Sequence, residues 1–222
     1  MRVLIGCESS GTPRQAFRAL GHDAWSCDLL PADDGSPYHF QEDVLGVIET
    51  HEWDLVIFHP SCTYLSSSGL HWNHKVPGRK QLTLEALGFV RKLMSSRVPK
   101  WAVENPVGAI STAIRRPDQI IQPYEFGDDA SKKTCLWLMG LPLLRPTLYV
   151  PGRKVEYRGR IVERWSNQTD SGQNRLPPSE DRWKLRSRTY PGIANAFAHQ
   201  WGGVAVQSPV TQNATPSFKE LL

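Results

Sequence analysis

Two short stretches hold the residue types that covalent chemistry needs. In Asp54-Leu-Val-Ile-Phe-His-Pro-Ser-Cys62-Thr-Tyr-Leu65, the apolar run Leu55 to Phe58 predicts a strand buried on both faces. The proline two places on removes a ladder donor and ends it. Cys62 then lies just past the carboxyl end of a central strand, the edge at which open α/β sheets bind ligands. Lys100-Trp-Ala-Val-Glu104-Asn105-Pro106 repeats the design. A lone cysteine is most often a small buried hydrophobe. A thiol beside a carboxyl group at a strand edge is instead a nucleophile with a partner.

The elements that must position the pair follow from periodicity. From Gln81 to Arg97 the residues Leu82, Leu84, Leu87, Phe89, Val90, Leu93 and Met94 recur at near-helical spacing. Strand, helix, strand is a right-handed crossover unit, and it brings Cys62 and Glu104 to one edge of adjacent parallel strands. At the start of the chain, a strand over Arg2 to Ile5, the loop Gly6-Cys-Glu-Ser-Ser-Gly11 and a helix over Thr12 to Leu20 make a Rossmann-like opening without the GxGxxG fingerprint. A second strand, His22 to Cys27, ends in Asp28, which suits a ribose diol or simply starts a turn. His39 to Val44 reads as a short third strand. Asp43 behind it accepts from an adenine amino group or caps a helix over Val44 to Thr50.

Ser66 to Lys80 reads as a polar loop that clamps nucleic acid or closes as a lid. A short helix over Val107 to Ile114 follows, then strands over Ile120 to Phe126 and Thr134 to Met139. The connection between those strands carries Lys132 and Lys133, placed for a phosphate or a carbonyl. Gly140 to Gln173 reads as an irregular excursion, and Pro191 to Gln200 as a terminal helix with proline near its start. One domain over residues 1–202 is expected, with a basic insertion at about 145–188 and a flexible tail over 203–222.

Composition narrows the classes. Of 222 residues, 40% are hydrophobic and 22% charged, as in ordinary globular domains. No stretch reaches the length of a membrane span, and no signal peptide is evident. The four cysteines are scattered without a CxxC pair, which argues against zinc and disulfides and for a cytoplasmic location. The net charge of +4 is uneven: residues 145–188 carry +6 and the remainder −2. Such a basic segment is either a phosphate-binding face or a solvated surface.

Together these stretches resemble the cytosine-C5 DNA methyltransferases, in the short form found in phage and prophage genomes and associated with restriction-modification. The resemblance runs from Arg2 to about Trp201. Pro60-Ser61-Cys62 is similar to the family's Pro-Cys nucleophile motif with one residue interposed, and Glu104-Asn105-Pro106 to its Glu-Asn-Val motif. Thr189-Tyr-Pro-Gly-Ile-Ala-Asn195 resembles the last motif. Three features depart: the first loop lacks Phe-x-Gly-x-Gly-Gly, Ser131-Lys132-Lys133-Thr134-Cys135 stands where two arginines are usual, and no large target-recognition domain fits within 145–188.

The resemblance implies an α/β, Rossmann-like methyltransferase fold with a mostly parallel central sheet and helices on both faces. It implies S-adenosyl-L-methionine as cofactor, held by Gly6, Cys7, Glu8, Ser9, Gly11, Asp28, Leu29, Asp43, Pro60 and Asn195. DNA is the implied partner of a monomer that needs neither membrane nor metal. Catalysis is implied at Cys62, which adds to cytosine C6, and at Glu104, which holds the N3 and amino edge. Asn105 orients the loop and Lys133 replaces an arginine. The base must be flipped or single-stranded to reach such a site. Two other readings stay open: methylation of free cytosine nucleotides, and a non-catalytic nucleic-acid-binding remnant of the fold.

Overall fold

The computed structural model describes residues 1–180 and 182–203. In chain order the elements are β1 (Arg2–Gly6), α1 (Thr12–Ala19), β2 (Asp23–Cys27), β3 (His39–Phe40), α2 (Val44–Thr50), β4 (Leu55–Phe58), α3 (Ser67–Leu70), α4 (Arg79–Met94), β5 (Trp101–Pro106) and α5 (Ala109–Ala113). Then come β6 (Gln119–Ile121), β7 (Thr134–Met139), β8 (Arg153–Tyr157), β9 (Arg160–Arg164), α6 (Arg182–Ser187) and α7 (Pro191–Trp201). Seven strands form one sheet in the order β3-β2-β1-β4-β5-β7-β6. β1 to β5 pair in parallel, whereas β7 runs antiparallel to both β5 and β6. This is the expected Rossmann-like methyltransferase fold.

Alternation along β1 shows how both faces are covered. Val3 and Ile5 pack with Phe17 of α1 and with Ile193 and Phe197 of α7. Leu4 points to the other face, onto Val47 of α2 and Leu87, Val90 and Leu93 of α4. All four residues of β4 are buried, which is why its sequence is continuously apolar rather than alternating.

Three expectations are corrected. The strand expected over Ile120 to Phe126 stops at Ile121, because Pro123 cannot donate to a ladder. Pro123–Glu125 instead forms a 3₁₀ turn, with Glu125 accepting from the Gln122 amide at 2.7 Å. The loop expected over Ser66 to Lys80 contains α3 and a 3₁₀ turn, His71–His74. The excursion expected to be irregular contains the hairpin β8–β9. Its two-residue turn, Arg158-Gly159, has both residues at positive φ, the geometry that matches strand twist. From residue 204 onward, the tail expected over 203–222 lies outside the described residues.

Candidate active site

The parallel register sets the edge at which Cys62 and Glu104 meet. Phe58 of β4 lies opposite Val103 of β5, so the next residue along each strand, His59 and Glu104, are neighbours. His59 Nδ1 donates to Glu104 Oε2 at 3.1 Å, and both side chains are buried. One residue further, Asn105 donates from Nδ2 to the Pro60 carbonyl at 2.7 Å and ties the segment leading to Cys62 onto β5. The Cys62 carbonyl accepts from the Leu65 and Ser66 amides, turning the chain sharply. Gly108 fits behind this turn, because a β-carbon there would overlap the Leu65 carbonyl oxygen.

Since β7 is antiparallel, its start rather than its end meets this edge, and Lys132 and Lys133 precede it there. Gln122 Oε1 accepts from the Lys132 amide at 3.0 Å, and Asn167 makes two hydrogen bonds to the backbone of Ser131. Burial pushes the Cys62 thiol up. The Lys132 charge opposes this, the Glu104 charge reinforces it and the Arg186 charge opposes it, with a net rise. Burial would also push Glu104 up. The Lys132 charge and the His59 hydrogen bond and charge outweigh it and hold the carboxyl below the usual range. The resting edge therefore holds a thiol and a carboxylate.

Lys132, rather than Lys133, is the cation acting on both groups. Lys133 also lines the cavity, yet its charge is felt at Cys135, a buried thiol pushed up to about 11 chiefly by burial. Residues in extended chain alternate sides.

A cavity of about 1650 Å³ extends from Cys62, Glu104 and Asn105 to the carboxyl ends of β1 and β2. There it is lined by Cys7, Glu8, Ser9, Asp28, Leu29 and Asp43, and near Cys62 by Pro60. Leu29 is 74% exposed, an apolar surface lying open in a cavity. Asp28 and Asp43 also do local work: Asp28 accepts from the Leu30 amide and Asp43 from the Leu45 amide as the cap of α2, each through Oδ1. Cys7 is at φ 58, a conformation usual for glycine. α6 also lines the cavity. Its Lys184 pairs with Asp33 at 2.8 Å, and Arg188, just beyond it, with the same carboxylate at 3.4 Å.

Three expected cofactor residues do not line the cavity. Gly6 is packed beneath it, where a β-carbon would meet Val44 and Phe58. Gly11 caps the start of α1 at φ 76, and its amide is held by Glu8 Oε2. Asn195 is exposed on α7, whose apolar face is committed to the core. His59, Gln122 and Asn167 were not anticipated, and of the lysine pair the expectation had given the catalytic role to Lys133 alone. For His59 a signal existed: it ends its apolar run as Glu104 ends its own.

No family model matches the chain, and no curated protein does. Among solved structures, the chain is similar to a prophage-encoded protein of E. coli assigned as a DNA modification methyltransferase. The identity is 14% over 68% of this chain and 52% of that one, with a TM-score of 0.46. It is also similar to the S. pombe Dnmt2 methyltransferase, at 14% identity over 64% of this chain and 51% of that one, with a TM-score of 0.38. The chain thus spans about half the length of each. The fold assignment stands on the sheet order itself. Among the described residues no helix is long and apolar enough to cross a membrane, and no group of three or more His, Cys, Asp or Glu side chains is arranged to hold a metal ion.

Proposed function

We propose that the chain is an S-adenosylmethionine-dependent DNA (cytosine-5-)-methyltransferase. The observation that carries this reading is the meeting of Cys62 and Glu104 in one cavity, at the ends of neighbouring parallel strands. The donor set at the far end suits the cofactor. Asp28 and Asp43 each use one oxygen locally and can offer the other to ribose or adenine, and Leu29 gives an apolar surface for a ring. When bound there, S-adenosylmethionine supplies an electrophilic methyl group.

The protein's own part is to make cytosine C5 nucleophilic. Cys62, once deprotonated, adds to C6 and leaves an enamine-like ring. Glu104, held as a carboxylate, accepts from the exocyclic amino group. His59 Nδ1 holds Oε2 in place, and the carboxyl, on taking a proton from solvent, can donate to N3 as charge builds on the ring. Lys132 stabilises the thiolate. Once C5 carries the methyl group, a base from solvent takes the C5 proton, the C5–C6 double bond re-forms and the C6–S bond breaks to return the Cys62 thiolate. A cytosine within a duplex must first leave the stack.

The test is methyl transfer from labelled S-adenosylmethionine to duplex DNA, single-stranded DNA and dCMP, with native protein and Cys62→Ser. Label at C5 of a polymer, absent with the variant, is expected. Label on dCMP alone would move the function to nucleotide metabolism. Cofactor binding without transfer to any of the three would favour a binding module.

A further inference from the structure

Trp72 and Trp183 are set apart from the other six tryptophans. Trp53, Trp101, Trp137, Trp165 and Trp201 are buried and Trp25 is half-buried, whereas Trp72 and Trp183 are 46% and 59% exposed. Both line the same cavity, although 111 residues separate them in the chain. Trp72 lies in the 3₁₀ turn that follows α3, and Trp183 lies on α6. Leaving two large indoles open to water forgoes the burial that holds the others in place. Flat apolar faces beside cations are what successive nucleobases stack on. The cations are present: Arg79 and Arg186 line the same cavity.

A second cavity, of about 580 Å³, adjoins the first, and Arg175 lines both. Arg153 and Arg164 from the β8–β9 hairpin also line it. Arg153 is paired with Asp170 at 2.6 Å, and Asp129 is held by the Ser166 amide. Among the described residues, Arg164 and Arg175 donate to main-chain carbonyls and have no carboxylate partner. Their charge is left for an incoming anion.

We propose that the cavity mouth is a single-stranded polynucleotide track. Bases flanking the reacting one stack on Trp72 and Trp183, and the phosphates pass Arg175 toward Arg164. This rests on the nucleic-acid reading above and narrows it to unpaired strand. Duplex bases are already stacked on one another and offer no free faces to the indoles.

Tryptophan fluorescence with cytosine-free probes tests it: oligothymidylate or oligouridylate of about 12 nucleotides, and a dA·dT duplex of equal length. Either single strand should quench the native protein and bind more tightly than the duplex, and the preferred strand identifies the sugar. Trp72→Ala and Trp183→Ala should each weaken binding about 10-fold. Arg175→Ala should lower the salt slope by about 0.7. Duplex binding as tight as single-strand binding, or Trp variants that bind like the native chain, would overturn the proposal. The probes contain no cytosine and Cys62→Ser should bind them normally, so failed methyl transfer leaves this result standing and a failed track leaves the methyltransferase reading standing.

Discussion

His59 Nδ1 donates to Glu104 Oε2 across the parallel ends of β4 and β5, joining the residue before Pro60 to the carboxylate of the second motif. His59 Nε2 is buried with no partner among the described residues, so the Nδ1 bond is what holds the ring. Burial raises the carboxyl, but the Lys132 charge and, after it, the His59 hydrogen bond and charge keep it below its usual range. His59 acts through Glu104 and is a positioning residue.

Removing it should show in the pH profile. Glu104 is depressed, so its ionised state persists at low pH and is lost only as pH falls through that depressed value. In His59→Ala two of the lowering influences disappear, and the acid limb of single-turnover transfer should move to higher pH. The rate at neutral pH should fall about 100-fold, with cofactor affinity unchanged. A variant profile that overlays the native one would remove His59 from the mechanism.

Cys62 offers a second pH measurement, by alkylation mapped with mass spectrometry. Its thiol is raised, so reaction with iodoacetamide should be slow at neutral pH and accelerate above the ordinary cysteine range. Glu104→Gln removes a charge that raises the thiol and should bring the acceleration to lower pH. Lys132→Ala should do the opposite. Cys27, pushed up to about 12 chiefly by burial, should stay unmodified while Cys62 reacts.

Gly108 separates placement from folding. The Ala109 amide donates to the Leu65 carbonyl at 2.7 Å, and a methyl group at 108 would drive that carbonyl away. Gly108→Ala should cut transfer about 100-fold by shifting the Cys62 turn. Urea denaturation should show a far smaller change. Equal losses in both measurements would mean that Gly108 serves the core alone.

The buried Arg14 gives a stability prediction remote from the chemistry. It donates to Ser26 Oγ at 2.6 Å and pairs with Asp34, whose carboxyl is lowered: burial raises it, but the Arg14 and Gln15 hydrogen bonds and the Arg14 charge prevail. Asp34→Ala leaves a cation buried without its partner and should cost about 3 kcal/mol in urea denaturation. Adding Arg14→Met should restore part of that loss.

The fold was largely legible because continuous apolar runs ending at proline mark buried parallel strands, as Leu55–Phe58 and Trp101–Pro106 do. The same rule places Cys62, Glu104 and Asn105 at strand ends, and the three line one cavity. What stayed hidden depends on tertiary pairing. Nothing local distinguishes Lys132 from Lys133, or says that Asn167 braces Ser131 from 36 residues away. The β8–β9 hairpin is not legible from sequence because Arg158-Gly159 is not a usual turn pair and none of its strand residues is buried. Gly6 and Gly11 do not line the cavity because one relieves packing and the other turns the backbone into α1, roles that a glycine in a loop does not reveal from sequence.

The grip of Lys184 and Arg188 on Asp33 has a consequence for the order of events in turnover. Asp33 belongs to the connection that also carries Asp28 and Leu29, while its two cations belong to the segment that reaches Arg186 near Cys62. A phosphodiester chain at the mouth, if it reached these two cations as well as Arg175, would compete with Asp33 for them. Such competition would link the two ends of the cavity, so that filling one would loosen the loop at the other. Its signature is release of the small ligand that quickens when polyanion or salt is added.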